Sequence, residues 1–391
     1  MRRIYVDENI PKAHDFFQEF GEVKTYHGRD LKSEDLSDAD ILIVRSITQV
    51  NRQLLENTPV KWVGTATAGV NHINQTDLID LGVLWESAAG CNAVAVAEYV
   101  LAILFRLYAE EKLTPQDKIG VIGYGQVGQA LTNKLTALSI PWIAVDPPRA
   151  AKFDDIDYAH WDNLAECSLI SAHTPYTQSG LHPTHKMISA SSFKGFKPNL
   201  HVINACRGEV IDEDSIIQSR TLFGDLFLDV FWNEPSPDLS WMKQSRLNTP
   251  HIAGYSYRGK LNGSAILVEK LNSFLGLNIP IHQGHFLKRS STMTVVEFEA
   301  ENPQANLIKS LISWMPSHYN PWSDSERFEK SWLDENRSFS FDQLRKNYPI
   351  RLEFGDVDLE IKTHCQSNIR TDFYKKQLHS LGFRSVKVSS L

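Results

Sequence analysis

The chain has 391 residues, more than one typical hydrophobic core accommodates, so two or three domains are expected. Hydrophobic residues make up 42% and charged residues 22%, an ordinary globular balance. The formal net charge of -7 excludes a global basic field for nucleic acid or an anionic membrane, so an anionic substrate would need a local positive pocket.

The N-terminus carries Arg2 and Arg3, then Asp7 and Glu8 instead of an apolar run, so it does not read as a signal peptide. Alternating strand and helix signals follow. Short apolar strands are predicted at 3–6, 41–44, 62–65 and 83–85, with helical segments between them such as 77–81. That alternation predicts a parallel sheet covered on both faces. Asn92 precedes a helical pattern to about Glu111, whose apolar part, 93–105, is interrupted by Glu98 and is too short to span a bilayer. Thr114-Pro115 ends it. A second series of strands at 119–122, 142–145, 169–172, 201–204 and 226–229 suffices for a doubly wound nucleotide-binding sheet. Residues 259–276 look helical again. Beyond Gly284 the texture changes: 292–298 is strand-like, and 350–354 with 357–361 suggest a hairpin around Gly355-Asp356. Cys91, Cys167, Cys206 and Cys365 show no CxxC spacing, which argues against a disulfide framework or a metal site and for a reducing cytoplasm.

Gly123-Tyr124-Gly125-Gln126-Val127-Gly128 matches G-x-G-x-x-G. It follows a predicted strand and opens a helical run over 129–138, the context in which glycines let a backbone approach a pyrophosphate at a helix N-terminus. Asp146, at the end of the next strand, is placed to accept hydrogen bonds from ribose hydroxyls and to repel a 2′-phosphate, which favours NAD over NADP. Arg149 weakens that preference, since it could reach a phosphate.

Arg207, Glu234 and His251 each lie just past the carboxyl end of a predicted strand, where ligands collect in open α/β sheets. Together they suit oxidation of a 2-hydroxy acid. Arg207 can fork onto a carboxylate and the adjacent C2 oxygen. His251 can take the hydroxyl proton as hydride leaves for the nicotinamide, and Glu234, bonded to the other ring nitrogen, would fix the tautomer.

The glycine turn, N-A-C-R-G-E-V at 204–210, L-D-V-F-W-N-E-P at 228–235 and T-P-H-I-A-G at 249–254 resemble, in order and spacing, the D-isomer-specific 2-hydroxyacid dehydrogenases. The resemblance covers roughly residues 1–275. It implies catalytic roles for Arg207, Glu234 and His251, and two doubly wound Rossmann-like domains: a substrate domain of residues 1–92 with 256–284, and an NAD-binding domain of residues 93–255. Further stretches are similar to the branch of that family acting on 4-phospho-D-erythronate in pyridoxal phosphate biosynthesis. They are V-D-E-N-I-P at 6–11, V-R-S-I-T at 44–48, G-T-A-T-A-G at 64–69, G-C-N-A-V-A-V-A-E-Y-V at 90–100, D-P-P-R-A at 146–150 and H-I-A-G-Y-S at 251–256.

That resemblance implies substrate contacts at Ser46, Thr67 and Tyr255, and cofactor contacts at Gln126, Val127, Asp146, Thr174, Asp229 and Gly254, beside Gly123, Gly125 and Gly128. It also implies a small C-terminal α+β dimerisation domain over 285–391, hence a homodimer. Arg45 and Arg258 are further candidates for neutralising a phosphate. The rivals are the same chemistry on another 2-hydroxy acid and a non-catalytic NAD sensor on the same scaffold; a sensor would not require all three catalytic residues. The mixed charges of the tail argue against a nucleic-acid binder.

Overall fold

A computed structural model describes residues 1–281, 286–295, 302–332, 337–364 and 367–390. The chain divides into two compact units: Met1–Ala93 with Ser256–Leu287, and Val94–Tyr255 with Lys288–Leu391.

The first unit is built on a five-stranded parallel sheet: β1 (Arg3–Asp7), β2 (Glu22–Tyr26), β3 (Ile41–Val44), β4 (Trp62–Thr65) and β5 (Leu84–Ser87), in the order β2-β1-β3-β4-β5. Strands β3 and β4 are buried at all four positions, as a parallel sheet covered on both faces requires. Four of the five were predicted from their apolar runs. The missed strand, β2, is an edge strand reading Glu-Val-Lys-Thr-Tyr, whose polar side chains face outward and hide the signal. The chain returns to this unit as the helix Tyr257–Leu275, capped at its start by the Ser256 hydroxyl and ended by Gly276 at φ +64°. Gly263 lets that helix approach β4: a Cβ there would lie 2.8 Å from the Ala66 carbonyl oxygen.

The second unit carries six parallel strands, β6 (Ile119–Ile122), β7 (Trp142–Val145), β8 (Leu169–Ala172), β9 (Leu200–Asn204), β10 (Phe223–Leu228) and β11 (Leu247–Asn248), in the order β11-β10-β9-β8-β6-β7. The chain leaves β6 toward β7 and then resumes on the other side at β8, so the switch point lies between β6 and β8. The helix Gln126–Ala137 begins three residues earlier than its apolar pattern suggests, because Gly125 is already its N-cap.

Residues from Lys288 onward belong to this second unit and form a third sheet, β12 (Arg289–Thr294), β13 (Val357–Thr363) and β14 (Ser385–Ser390). All three strands are parallel, so the predicted hairpin does not form. Phe354–Asp356 is a 3-10 turn, and residues 351–354 are engaged elsewhere. Arg351 donates to the Ala253 and Ala95 carbonyls at 2.8 and 2.6 Å, and the Phe354 N–H donates to Glu98 at 3.1 Å. The far end of the strand predicted over 292–298, the domain boundary predicted at 284/285 and Cys365 fall outside the described residues. Cys91, Cys167 and Cys206 are buried thiols that form no disulfide.

A buried charge cluster fastens the C-terminal segment. Glu98 and Lys134 are 1% and 5% exposed and pair at 3.2 Å, and Lys134 also donates to the Leu381 carbonyl at 2.6 Å. Burial pushes the Glu98 carboxyl upward against the charges of Lys134 and Arg351 and the Phe354 N–H. Removing one partner strands a charge in a low-dielectric interior. Lys134→Met is expected to lower stability by roughly 3–5 kcal/mol. The double change Glu98→Met with Lys134→Met should recover part of the loss. Urea unfolding midpoints of the three proteins check this.

Candidate active site

The residues singled out between Gly123 and His251 fall along one edge of one sheet. Strands β6 to β11 are parallel, so their carboxyl ends lie side by side. Leaving those ends are the glycine turn after β6, Asp146 after β7, His173-Thr174 after β8, Arg207 after β9, Asp229 and Glu234 after β10, and His251 after β11.

His251 and Glu234 are in direct contact: Nδ1 lies 2.8 Å from Oε2. The second carboxylate oxygen of Glu234 accepts the Phe231 N–H at 3.0 Å. Burial would raise the Glu234 carboxyl. The His251 charge and hydrogen bond, the Phe231 N–H and the charge of Arg345 outweigh it and hold the group below its ordinary value. The carboxylate therefore anchors Nδ1 and leaves Nε2 as the ring nitrogen for proton exchange.

His251 has left-handed backbone, φ +55°, a conformation that costs a non-glycine residue on the order of 1–3 kcal/mol and must be enforced by its surroundings. Asp229, 1% exposed, supplies the enforcement. Its Oδ1 accepts from the Thr249 hydroxyl at 2.7 Å and the Ile252 N–H at 2.8 Å, and its Oδ2 accepts the Ala253 N–H at 2.9 Å. The Asp229 carbonyl accepts the His251 N–H at 2.8 Å. Burial pushes this carboxyl up to about 6, against the His251 charge and these donors. Asp229 thus shapes the turn that carries the histidine, a role the sequence did not signal.

Arg207 follows a turn fastened by buried Asn204, whose Oδ1 accepts the Cys206 N–H at 3.2 Å and whose Nδ2 donates to the Arg207 carbonyl at 2.9 Å. Its guanidinium donates to the Cys206 carbonyl at 2.6 Å. Gly208 brings this turn against the Glu234 loop: a Cβ there would lie 2.0 Å from the Phe231 carbonyl carbon. Only glycine permits that approach.

The glycine turn has the shape of a phosphate cradle. Gly123 adopts φ +92°, and a Cβ on it would lie 2.6 Å from the His173 carbonyl oxygen. A Cβ on Gly128 would meet the Gly123 carbonyl oxygen at 2.2 Å, whereas Gly125 faces open space. Gly125 and Gln126 are exposed, Val127 is partly buried, and no side chain caps this helix start, so its N–H groups are presented outward. Beside the turn, the Thr174 hydroxyl is buried with no hydrogen-bond partner. A dinucleotide's pyrophosphate suits such a set. Asp146 accepts the Tyr124 N–H at 2.7 Å and the Arg149 N–H at 3.0 Å, tying the end of β7 to the turn. Arg149 is engaged by Tyr158 at 2.8 Å and Asp155 at 2.6 Å, so its charge is already answered without a 2′-phosphate.

The remaining candidates belong to the first unit, apart from Gly254 and Tyr255, which lie in the turn after His251. Arg45 and exposed Ser46 follow β3, with Arg45 lying 3.8 Å from buried Asp7. Thr67, after β4, bonds Thr65 at 2.8 Å and the Gly69 carbonyl at 3.0 Å. The Arg258 guanidinium lies over the Phe286 ring at 4.6 Å. Lys260 was not singled out by the sequence; burial and then the charge of Arg45 pull its ammonium below the ordinary value, so two cations share this part of the unit. Among the described residues no cluster of three metal-ligating side chains occurs, and no helix is long and apolar enough to cross a membrane.

Comparison with known proteins agrees with this geometry. Residues 107–253 match the model of the D-isomer specific 2-hydroxyacid dehydrogenase NAD binding domain. Erythronate-4-phosphate dehydrogenases of Marinobacter nauticus and Pseudomonas putida are each 37% identical, over 93% and 92% of this chain and 96% and 94% of their own. The chain belongs to the erythronate-4-phosphate dehydrogenase family. Among solved structures, D-lactate dehydrogenase from Aquifex aeolicus, complexed with NAD and lactic acid, has a TM-score of 0.56 at 23% identity, covering 70% of this chain and 96% of that one. The NAD-bound 3-phosphoglycerate dehydrogenase of Entamoeba histolytica scores 0.59 at 19% identity, covering 70% and 95%. The fold is that of the NAD-dependent D-2-hydroxyacid dehydrogenases, and the cofactor is NAD.

The lowered Glu234 carboxyl fixes the sign of a pH effect. A depressed acid contributes stability that is complete above its ordinary value of 4.5 and is lost as pH falls through the lower folded value. The difference in unfolding free energy between wild type and Glu234→Gln is therefore expected to be full near neutrality and to shrink as pH drops below about 4.5. Urea titrations at several pH values measure it.

Proposed function

We propose that this chain oxidises the 2-hydroxyl of 4-phospho-D-erythronate to the 2-oxo acid, (R)-3-hydroxy-2-oxo-4-phosphooxybutanoate, in pyridoxal phosphate biosynthesis. The observation that carries the reading is the 2.8 Å contact between His251 and Glu234 at the carboxyl edge of a dinucleotide-binding sheet. Relatives named for this activity, similar over nearly the full chain, support the choice of substrate.

In this reading Arg207 binds the substrate carboxylate and C2 oxygen through its forked donors. His251 accepts the hydroxyl proton at Nε2, and Glu234 stabilises the imidazolium that results. NAD, when bound, accepts the hydride from C2. Gly123, Gly125, Gln126, Val127 and Gly128 hold its pyrophosphate, Asp146 its ribose, and Thr174, Asp229 and Gly254 complete the contacts. Ser46, Thr67 and Tyr255 contact the substrate, and Arg45 and Arg258 neutralise its phosphate.

The enzyme works in the cytoplasm as a homodimer joined through residues 285–391. Ile350 and Ile369 in that segment are 69% and 84% exposed, apolar surface that a second copy would cover. Sedimentation at twice the 44.4 kDa chain mass is the expected result, and a monomer at micromolar concentration would contradict it.

The activity is tested by following NADH formation with 4-phospho-D-erythronate, D-3-phosphoglycerate and unphosphorylated D-erythronate, with a trap for the 2-oxo acid. Strong preference for the phosphorylated four-carbon acid is expected. His251→Asn removes the base, and asparagine tolerates the left-handed backbone. It should lower kcat/KM by about 10²- to 10⁴-fold while NADH binding persists. Preference for another acid would discard the substrate but keep the chemistry.

A further inference from the structure

Arg351, in the C-terminal segment, is 5% exposed, with its guanidinium stacked 3.6 Å from the centre of the Tyr319 ring. One terminal nitrogen donates to the Ala253 carbonyl at 2.8 Å and the other to the Ala95 carbonyl at 2.6 Å. Its Nε is buried without a hydrogen-bond partner. A buried cation that gives its donors to two carbonyls and leaves another unpaired is a costly means of packing. The choice of carbonyls points to its use.

Ala253 closes the histidine turn and is held on both sides. Its N–H donates to Asp229 at 2.9 Å, and its carbonyl accepts from Arg351. The peptide that follows is trans, so its C=O and N–H point in opposite directions. With the Ala253 carbonyl turned toward Arg351, the Gly254 N–H is directed away from it. Gly254 is half-buried, and among the described residues its N–H has no hydrogen-bond partner. A backbone donor withdrawn from water in this way needs an acceptor from elsewhere. The start of the same turn is held by the Tyr99 hydroxyl, which bonds Thr249 at 2.8 Å. Tyr99 lies four residues past Ala95 on the helix Ala93–Ala109. One helix therefore fixes the turn at both ends, directly through Tyr99 and by way of Arg351.

We propose that Arg351 is a positioning residue for the cofactor. By holding the Ala253 carbonyl it aims the Gly254 N–H at an acceptor atom of bound NAD, and it keeps His251, two residues before Ala253, in fixed relation to that atom. The inference rests on the dehydrogenase reading, in which Gly254 meets the dinucleotide, but its central test needs no turnover. The structural alternative is that Arg351 only balances the buried charge of Glu98, as Lys134 does.

The two roles are separated by NADH binding, followed by fluorescence on the purified enzyme in wild type, Arg351→Met, Arg351→Lys and Lys134→Met, with urea midpoints alongside. Arg351→Met is expected to raise the Kd for NADH by about tenfold, the worth of one well-made hydrogen bond, and to lower kcat on 4-phospho-D-erythronate at saturating NAD by at least as much. Lysine keeps the charge but cannot fork onto two carbonyls, so Arg351→Lys should fall between wild type and the methionine variant. Lys134→Met removes a cation from beside Glu98 and leaves the Ala253 carbonyl held, so it should lose stability and keep the wild-type Kd. An unchanged Kd in folded Arg351→Met, an equal loss of affinity in Lys134→Met, or failure of both Arg351 variants to fold would each overturn the proposal in favour of the structural role. A wild type that binds NADH without oxidising 4-phospho-D-erythronate would discard the assigned substrate, and the comparison of Kd values would still decide the role of Arg351.

Discussion

The carboxylate of Asp229 is the interaction on which the rest of the site depends. It is buried, and its two oxygens together accept one hydroxyl and two backbone donors from the segment Thr249–Ala253. Those bonds fix a turn in which His251 takes a backbone conformation that it would not adopt unaided. With the turn fixed, Nδ1 faces Glu234 and the ring is held in one orientation. Without it, the strain in His251 would relax, and the contact with Glu234 would be one rotamer among several. The Tyr99 hydroxyl, buried on the helix Ala93–Ala109, bonds Thr249 at 2.8 Å and supports the same clamp from below.

The sheet explains why residues far apart in sequence can serve one reaction. Parallel strands place every carboxyl end on the same edge, and adjacent strands stand roughly 4.8 Å apart. The neighbours β9, β10 and β11 deliver Arg207, Glu234 and His251 in spatial order, although 44 positions separate the first from the last. Across the switch point, β6 and β7 deliver the glycine turn and Asp146. One half of the edge therefore offers backbone donors for a phosphate, and the other offers titratable side chains. Titratable groups at one half and a dinucleotide cradle at the other suit removal of a proton from a hydroxyl oxygen and of a hydride from the carbon that bears it.

Much of this is legible in the chain itself. Fully buried parallel strands read as short apolar runs, which is why β3, β4, β6 and β8 stand out. Arg207, Glu234 and His251 are visible because each is a titratable residue at the end of such a run. The edge strand β2 carries no such signal, and the supposed hairpin at 350–361 fails for an opposite reason: its alternation is real, but β13 pairs with parallel neighbours. Local pattern states that a segment can be a strand and is silent on its partner. Arg345 and Lys260 are illegible for a further reason. A lone cation on a helix looks the same whether it faces solvent or the interior, and only the tertiary packing distinguishes the two.

The C-terminal segment does more than cover apolar surface. Its buried Arg351 donates to Ala95 on one side and to Ala253 on the other, with its guanidinium stacked 3.6 Å from the centre of the Tyr319 ring. Ala253 is the residue whose N–H caps Asp229. One residue thus joins the clamp beneath His251 to a charge that the C-terminal segment provides, while Arg345 and Tyr348 pack on the next aromatic ring along. A dinucleotide-binding sheet can hold a cofactor by itself, since its cradle is made of backbone. The histidine turn is different: its contacts come from three stretches of chain, and the last of them lies beyond residue 340. Tying a strained histidine turn to a distant segment makes its geometry a property of the folded second unit as a whole. The same buried charges that make Glu98 and Lys134 costly to separate keep that segment in place.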